Sequence, residues 1–295
     1  MRPEELLPSA DLGHFRLQKH GGLADPAYET ALALVRAKRN DECRFCTFLS
    51  SKHHEVDHID GNHKRSEFEN IDLVCPLCHG VKHLPITALT DSVRVAYVPE
   101  LTQIQIHQVI LVAWFATESC ERAISENPTF SKDKASKLRD IGARAESLYQ
   151  QFDQRCKLVA SFLNSGVGAD TLRRNGFESK DHPGLKADEH INAGVLANVL
   201  SRLAEKEPQR YQERGALLGG LRIIPWKKHF LRDRSSNVGQ KFVHWLDEHH
   251  TTNPVHCWGD VLSSTSIPLD EVLFNFVGEA DIAVKQYKEA LSRPK

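Results

Sequence analysis

Residues 43–83 read CRFCTFLSSKHHEVDHIDGNHKRSEFENIDLVCPLCHGVKH, and this stretch decides the fold. Two CxxC pairs bracket it, Cys43-Arg44-Phe45-Cys46 and Cys75-Pro76-Leu77-Cys78. Each pair reads as a knuckle, a tight turn that aims two thiolates at one ion, and two knuckles complete a closed tetrahedral site for Zn²⁺. A closed site leaves no position for water, so the expected metal is structural, and it helps fold a segment with little core of its own. Four unrelated buried cysteines would not account for both spacings, nor for the His and Asp residues between them. The three other cysteines, Cys120, Cys156 and Cys257, are isolated and read as buried thiols.

Between the knuckles, Val56-Asp57-His58-Ile59 reads as a strand and Asp60-Gly61-Asn62 as a turn. Asn70, Ile71 and Leu73-Val74 read as a second strand, and a helix begins near the second knuckle. His79 and His83 are four apart, so on that helix they share one face and can converge on one cation. This order resembles the HNH endonucleases, the ββα-metal fold of many metal-dependent nucleases. Phosphodiester hydrolysis needs a base to activate water and a cation to stabilise the leaving oxygen. The resemblance implies His58 as the base and the neighbouring Asp57 as a ligand of the catalytic metal. It implies His79 as a further ligand, with His83 as the next candidate. Asn70 would orient the His58 loop by hydrogen bonds or touch the metal. That ion would be Mg²⁺, Mn²⁺ or another divalent metal, and imidazole ligands also suit a transition metal. His53, His54 and His63 are read as surface or supporting residues, and Asp60 as shaping the turn.

Working outward, residues 1–24 read as an N-terminal arm. Asp25-Pro26 opens a helix that leads into Cys43, with Asp25 as N-cap and Pro26 at the first helical position. Val93, Val95 and Tyr97 alternate as a short strand. Thr102 caps an apolar helix over about 103–124, and Leu138, Ile141, Ala145, Leu148, Phe152 and Leu158 mark another. Further helices are expected around 188–206 and 236–250, with 164–187 as a loop, helix-turn-helix-like junction or insertion. LRIIPWKKHF at 221–230 reads as a short apolar segment broken at Pro225. The expected class is α+β: an HNH zinc domain over 25–95, then a mainly helical region over 96–295.

The run Pro99-Glu100-Leu101-Thr102-Gln103 before the apolar helix is not part of the general HNH motif. With Leu221-Arg222-Ile223-Ile224-Pro225, Lys227, Lys228 and Phe230, it resembles the IcmJ/DotN family of type IVB secretion and conjugation systems. The resemblance covers about residues 26–117 and 221–247, and the region between is longer than the family would suggest. It implies a place beside the coupling ATPase, the type IV coupling protein that delivers substrates to the channel. In the family's secretion members the nuclease residues are degraded and the protein is an adaptor. Here Asp57, His58, Asn70 and His79 are all in place, which fits a conjugation system whose cargo is DNA.

The formal net charge of −1 over 295 residues excludes a global basic field, so DNA contact must use a local patch. Lys64-Arg65 and Lys82 are candidates for phosphate contact, while Arg173-Arg174 and Lys227-Lys228 read as solvated. The N-terminus lacks the apolar core of a secretory signal, and the longest apolar run, Val109 to Ala116, is too short to span a bilayer. The expected location is the cytoplasm, at the inner membrane through partners.

Overall fold

In the computed structural model, residues 5–10, 26–61, 65, 67–90, 92–164 and 193–227 are described. Helix α1 (Pro26–Arg39) is followed by β1 (Glu55–His58), a 3-10 turn at 68–70, β2 (Ile71–Val74) and the short helices α2 (Pro76–Lys82) and α3 (Leu84–Leu89). Then come β3 (Val93–Tyr97), α4 (Gln103–Glu126), α5 (Lys132–Asn164), α6 (Ala193–Lys206), α7 (Pro208–Gln212), α8 (Arg214–Leu218) and β4 (Leu221–Pro225). The architecture is mixed α and β, with two small antiparallel sheets, β1–β2 and β3–β4. No described helix is long and apolar enough to cross a membrane. The chain divides into two compact units, one of Met1–Leu111 and Tyr149–Trp245, the other of Val112–Leu148 and Leu246–Lys295.

In the first unit, β1 pairs with β2 in the register Val56 to Leu73 and Asp57 to Asp72. Val56, Ile71 and Leu73 bury against Val35 of α1, with Ala31 and Leu32 flanking them. Residues 31, 32 and 35 share one face of a 3.6-residue helix, which is why α1 docks on this small sheet. At about 1.5–3 kcal/mol for each fully buried aliphatic side chain, this cluster is a modest core for its segment. Helix α1 ends where Asn40 and Asp41 take left-handed φ of 51° and 61°. These residue types tolerate that conformation. Its basic last turn also serves the sheet, because Arg39 Nε donates to the buried Asp72 Oδ1 at 2.6 Å.

The alternation at 93–97 forms β3, but its partner lies far along the chain. Arg94 pairs with Ile224 and Val95 with Ile223. The segment at 221–225 is therefore a strand whose last residue is Pro225, a position where no further ladder bond is needed. Trp226 then stacks its ring on the buried Arg94 guanidinium, 3.8 Å from the centroid. Gly220 is required before β4, since a Cβ there would lie 2.7 Å from Pro99 and Tyr97. Thr102 caps α4 as expected: Gln105 N donates to Thr102 Oγ1, and Thr102 N donates to Gln105 Oε1.

Residues 5–10 are tied down within this unit. Ser9 N donates to Val81 O, Leu84 N donates to Ser9 O, and Ala10 N donates to the Tyr211 hydroxyl. In the second unit, Cys120, Ala123 and Leu138 form a core, with Ile124, Phe130 and Ile141 packed against it. Ser131 Oγ accepts from Lys134 N and so caps α5. Asp25, the junction at 165–187, the helix expected at 236–250, and Cys257 lie outside the described residues.

Candidate metal centres

Four cysteines converge as the spacing predicts. The Sγ atoms of Cys43, Cys46, Cys75 and Cys78 lie within 4.8 Å of one another, and all four residues are buried. Cys46 Sγ and Cys75 Sγ are 3.6 Å apart. Metal–sulfur bonds of about 2.3 Å in a tetrahedron put sulfurs about 3.8 Å apart, so the cluster can hold a metal such as zinc. The first knuckle turns through Thr47, whose φ is 59° and whose N–H donates to Cys43 O. The second knuckle opens α2: Cys75 is the N-cap, Pro76 follows, and His79 N donates to Cys75 O. Hydrogen bonds from Cys46, Cys75 and Cys78 hold the Cys43 thiol far below its ordinary range. Burial pushes Cys75 and Cys78 up. Burial thus favours the neutral thiol at Cys75 and Cys78, and a bound cation would let those protons leave.

A buried relay supports the cluster. Gln103 Nε2 donates to Ile223 O at 2.7 Å, and Ile223 N donates back to Gln103 Oε1 at 2.8 Å. With Oε1 engaged by an N–H, the assignment of that amide is settled by its partners. Its second N–H points at His107 Nε2, 3.0 Å away. His107 Nε2 is then the acceptor, so Nδ1 carries the proton and donates to Cys78 Sγ at 3.2 Å. Burial depresses the His107 pKa to about 4, which keeps the ring neutral, as this tautomer requires.

A second group contains Asp57, His79 and His83, whose ligand atoms also lie within 4.8 Å of one another. Period-2 alternation puts Glu55 and Asp57 on one face of β1 and Val56 and His58 on the other. Glu55 Oε2 lies 2.7 Å from His79 Nδ1, so it fixes the ring and leaves Nε2 directed elsewhere. Among the described residues, His79 Nε2 and Asp57 Oδ1 are buried without a hydrogen-bond partner. The His79 and His83 rings meet edge to face with centroids 4.3 Å apart. Lys82 Nζ donates to Asp57 Oδ2 at 2.6 Å and to His58 O at 3.0 Å. A buried carboxylate with one unbonded oxygen, facing two imidazoles, is a donor set that fits a divalent cation.

His58 and Asn70 fall outside this group of three. His58 ends β1, half-buried, and burial lowers its pKa while Asp57 and Asp60 oppose that shift. Asn70 is a clamp on the loop that follows His58. Its Nδ2 donates to Asp60 Oδ1 at 2.9 Å and to Arg65 O at 2.7 Å, and Asp60 N donates to its Oδ1. Asp60 shapes the turn, with Gly61 at φ 74°. His54, read as a surface or supporting residue, is 3% exposed and packs edge to face on Phe48, and His63 lies outside the described residues.

Sequence reading missed Glu55, Gln103 and His107 as site residues. Glu55 was within reach, since it stands two residues before Asp57 in a strand. His107 was not, because a lone histidine on an apolar helix carries no local sign of a thiolate partner. Comparison with protein-family models and with curated proteins gives no match for this chain.

Proposed function

We propose that this chain is an HNH-type, zinc-stapled, divalent-metal-dependent DNA endonuclease or nickase that works within a type IVB secretion or conjugation apparatus. The observation that carries the reading is Asp57, 1% exposed with Oδ1 unbonded, converging with His79 and His83 beside the tetracysteine cluster. The four cysteines bind Zn²⁺ and hold the loop after α1 against the junction of β2 and α2. Asp57, His79 and His83 hold the second cation, which when bound supplies charge stabilisation for the phosphate and the leaving oxygen. His58, kept neutral by burial, takes a proton from the attacking water onto a ring nitrogen. Asn70 holds the turn after His58, and Glu55 orients His79.

The test is nicking of supercoiled plasmid by zinc-loaded protein in Mg²⁺, Mn²⁺, Ni²⁺ or Zn²⁺. Cleavage should vanish in His58→Ala while zinc content and fold persist. Absence of cleavage with all four ions refutes the activity.

A second reading is favoured by Lys82, whose ammonium gives the buried Asp57 carboxylate a counter-charge from the chain itself. In it the chain is a catalytically inactive HNH-fold adaptor on the type IV coupling protein. That reading predicts co-purification with the coupling ATPase and DNA transfer unaffected by His58→Ala.

A further inference from the structure

Lys82 is the last residue of α2, one helical turn beyond His79 and next to His83. Its ammonium donates to Asp57 Oδ2 and to the His58 carbonyl, so it is bound to both residues of the Asp57-His58 pair. Asp57 cannot be left without such a partner. It is 1% exposed and stands directly opposite Asp72 in the strand register, with Asp72 2% exposed. Like charges directly opposite each other on a sheet are destabilising. Arg39 and Arg44 answer Asp72, and Lys82 answers Asp57. Yet Asp57 is also the one carboxylate of the Asp57–His79–His83 group. An ammonium and a divalent cation on one buried carboxylate repel each other strongly at a separation of about 4–5 Å.

We propose that Lys82 is a built-in counter-cation that competes with divalent metal for Asp57, so that the centre stays charge-balanced when metal-free and loads only as the ammonium gives way. This rests on reading Asp57, His79 and His83 as a divalent-cation site. It adds that the chain's own lysine sets the affinity of that site. The ligand class is a hard or borderline divalent cation, and the concentration of that cation decides whether Lys82 or the metal holds Asp57.

The experiment is calorimetric titration of Mn²⁺ into the full chain with its four-cysteine site preloaded with Zn²⁺. Wild type, Lys82→Met, Lys82→Arg and Asp57→Asn are compared. A second readout is acylation of Lys82 by an amine-selective reagent, followed by mass spectrometry, on metal-free and Mn²⁺-saturated wild type. Lys82→Met should bind Mn²⁺ about tenfold more tightly or better, Lys82→Arg should stay near wild type, and Asp57→Asn should lose binding. Lys82 in the wild type should become more reactive as Mn²⁺ saturates. Equal affinity of wild type and Lys82→Met overturns the proposal, while loss of binding in Asp57→Asn leaves the metal-site reading standing. No Mn²⁺ binding by any of the chains overturns both. If Lys82→Met does not fold, the wild-type acylation decides, and reactivity unchanged by Mn²⁺ sinks the proposal.

Discussion

Replacing His107 with leucine tests the relay that ties the tetracysteine cluster to the β3–β4 sheet. The ring is fully buried and makes two polar contacts, one to Cys78 Sγ and one to Gln103 Nε2. Leucine removes the donor to a thiolate, and hydrogen bonds to charged groups contribute about 1.5–3 kcal/mol. It also strands one N–H of Gln103, which is 3% exposed. An unsatisfied buried donor costs about 1–3 kcal/mol. The other N–H keeps Ile223 O, so only one group is orphaned. The expected loss is roughly 3–5 kcal/mol, and with a urea m-value of about 2 kcal/mol/M the midpoint falls by about 2 M. Urea unfolding of zinc-loaded protein, followed by far-ultraviolet circular dichroism, measures it. Zinc transfer to a colorimetric chelator should also speed up. The relay further predicts coupling, because once His107 is gone Gln103→Leu should cost about 1 kcal/mol less than in the wild type. A loss below about 1 kcal/mol, with the two substitutions additive, would refute the relay and the tautomer assigned to His107.

Three further outcomes follow from the same contacts. Cys75→Ser should abolish stoichiometric zinc binding and amide protection across β1 and β2, since a structural zinc site carries about 10–16 kcal/mol of apparent binding energy; one retained equivalent of zinc with unchanged protection contradicts it. Asn70→Ala removes the side chain bound to Asp60 and Arg65, and should cost about 2–3 kcal/mol with faster exchange of the Asp60 amide; a change within 0.5 kcal/mol, on the scale of about ±0.5 seen for neutral surface changes, would show the clamp to be idle. His58 must be neutral to act as base, and burial lowers its pKa, so cleavage should rise with pH to a plateau whose midpoint lies below the ordinary value of 6.5; a midpoint above that value removes His58 as the base.

Much of the local structure was legible because it obeys short-range rules. The CxxC spacings, the turn at Asp60-Gly61, the alternation at 93–97 and the Thr102 cap are set by residues within a few positions of one another. The helix bearing His79 was legible for the same reason, but it ends at Lys82, and His83 caps it with non-helical dihedrals rather than lying on its face. Less legible were the residues that support the site. Glu55 required the strand phase. Lys82 reads in the sequence as a candidate for phosphate contact, and the packing of α2 over β1 instead brings its ammonium onto a buried carboxylate.

By itself the sequence determined which atoms are offered: four thiols in two knuckles, a strand carrying Asp57 and His58, and two imidazoles four residues apart at His79 and His83. Only the tertiary structure decided what those atoms meet. The pairing of β3 with β4 joins residues more than 120 positions apart. That pairing places Ile223 where Gln103 can hold His107 against Cys78. The docking of α2 on β1 sets Lys82 on Asp57 and leaves the other carboxylate oxygen buried without a hydrogen-bond partner. The physical reason is one of range. Turn, cap and knuckle geometries are fixed by a few adjacent dihedrals, whereas burial and charge pairing depend on which distant surfaces close over one another.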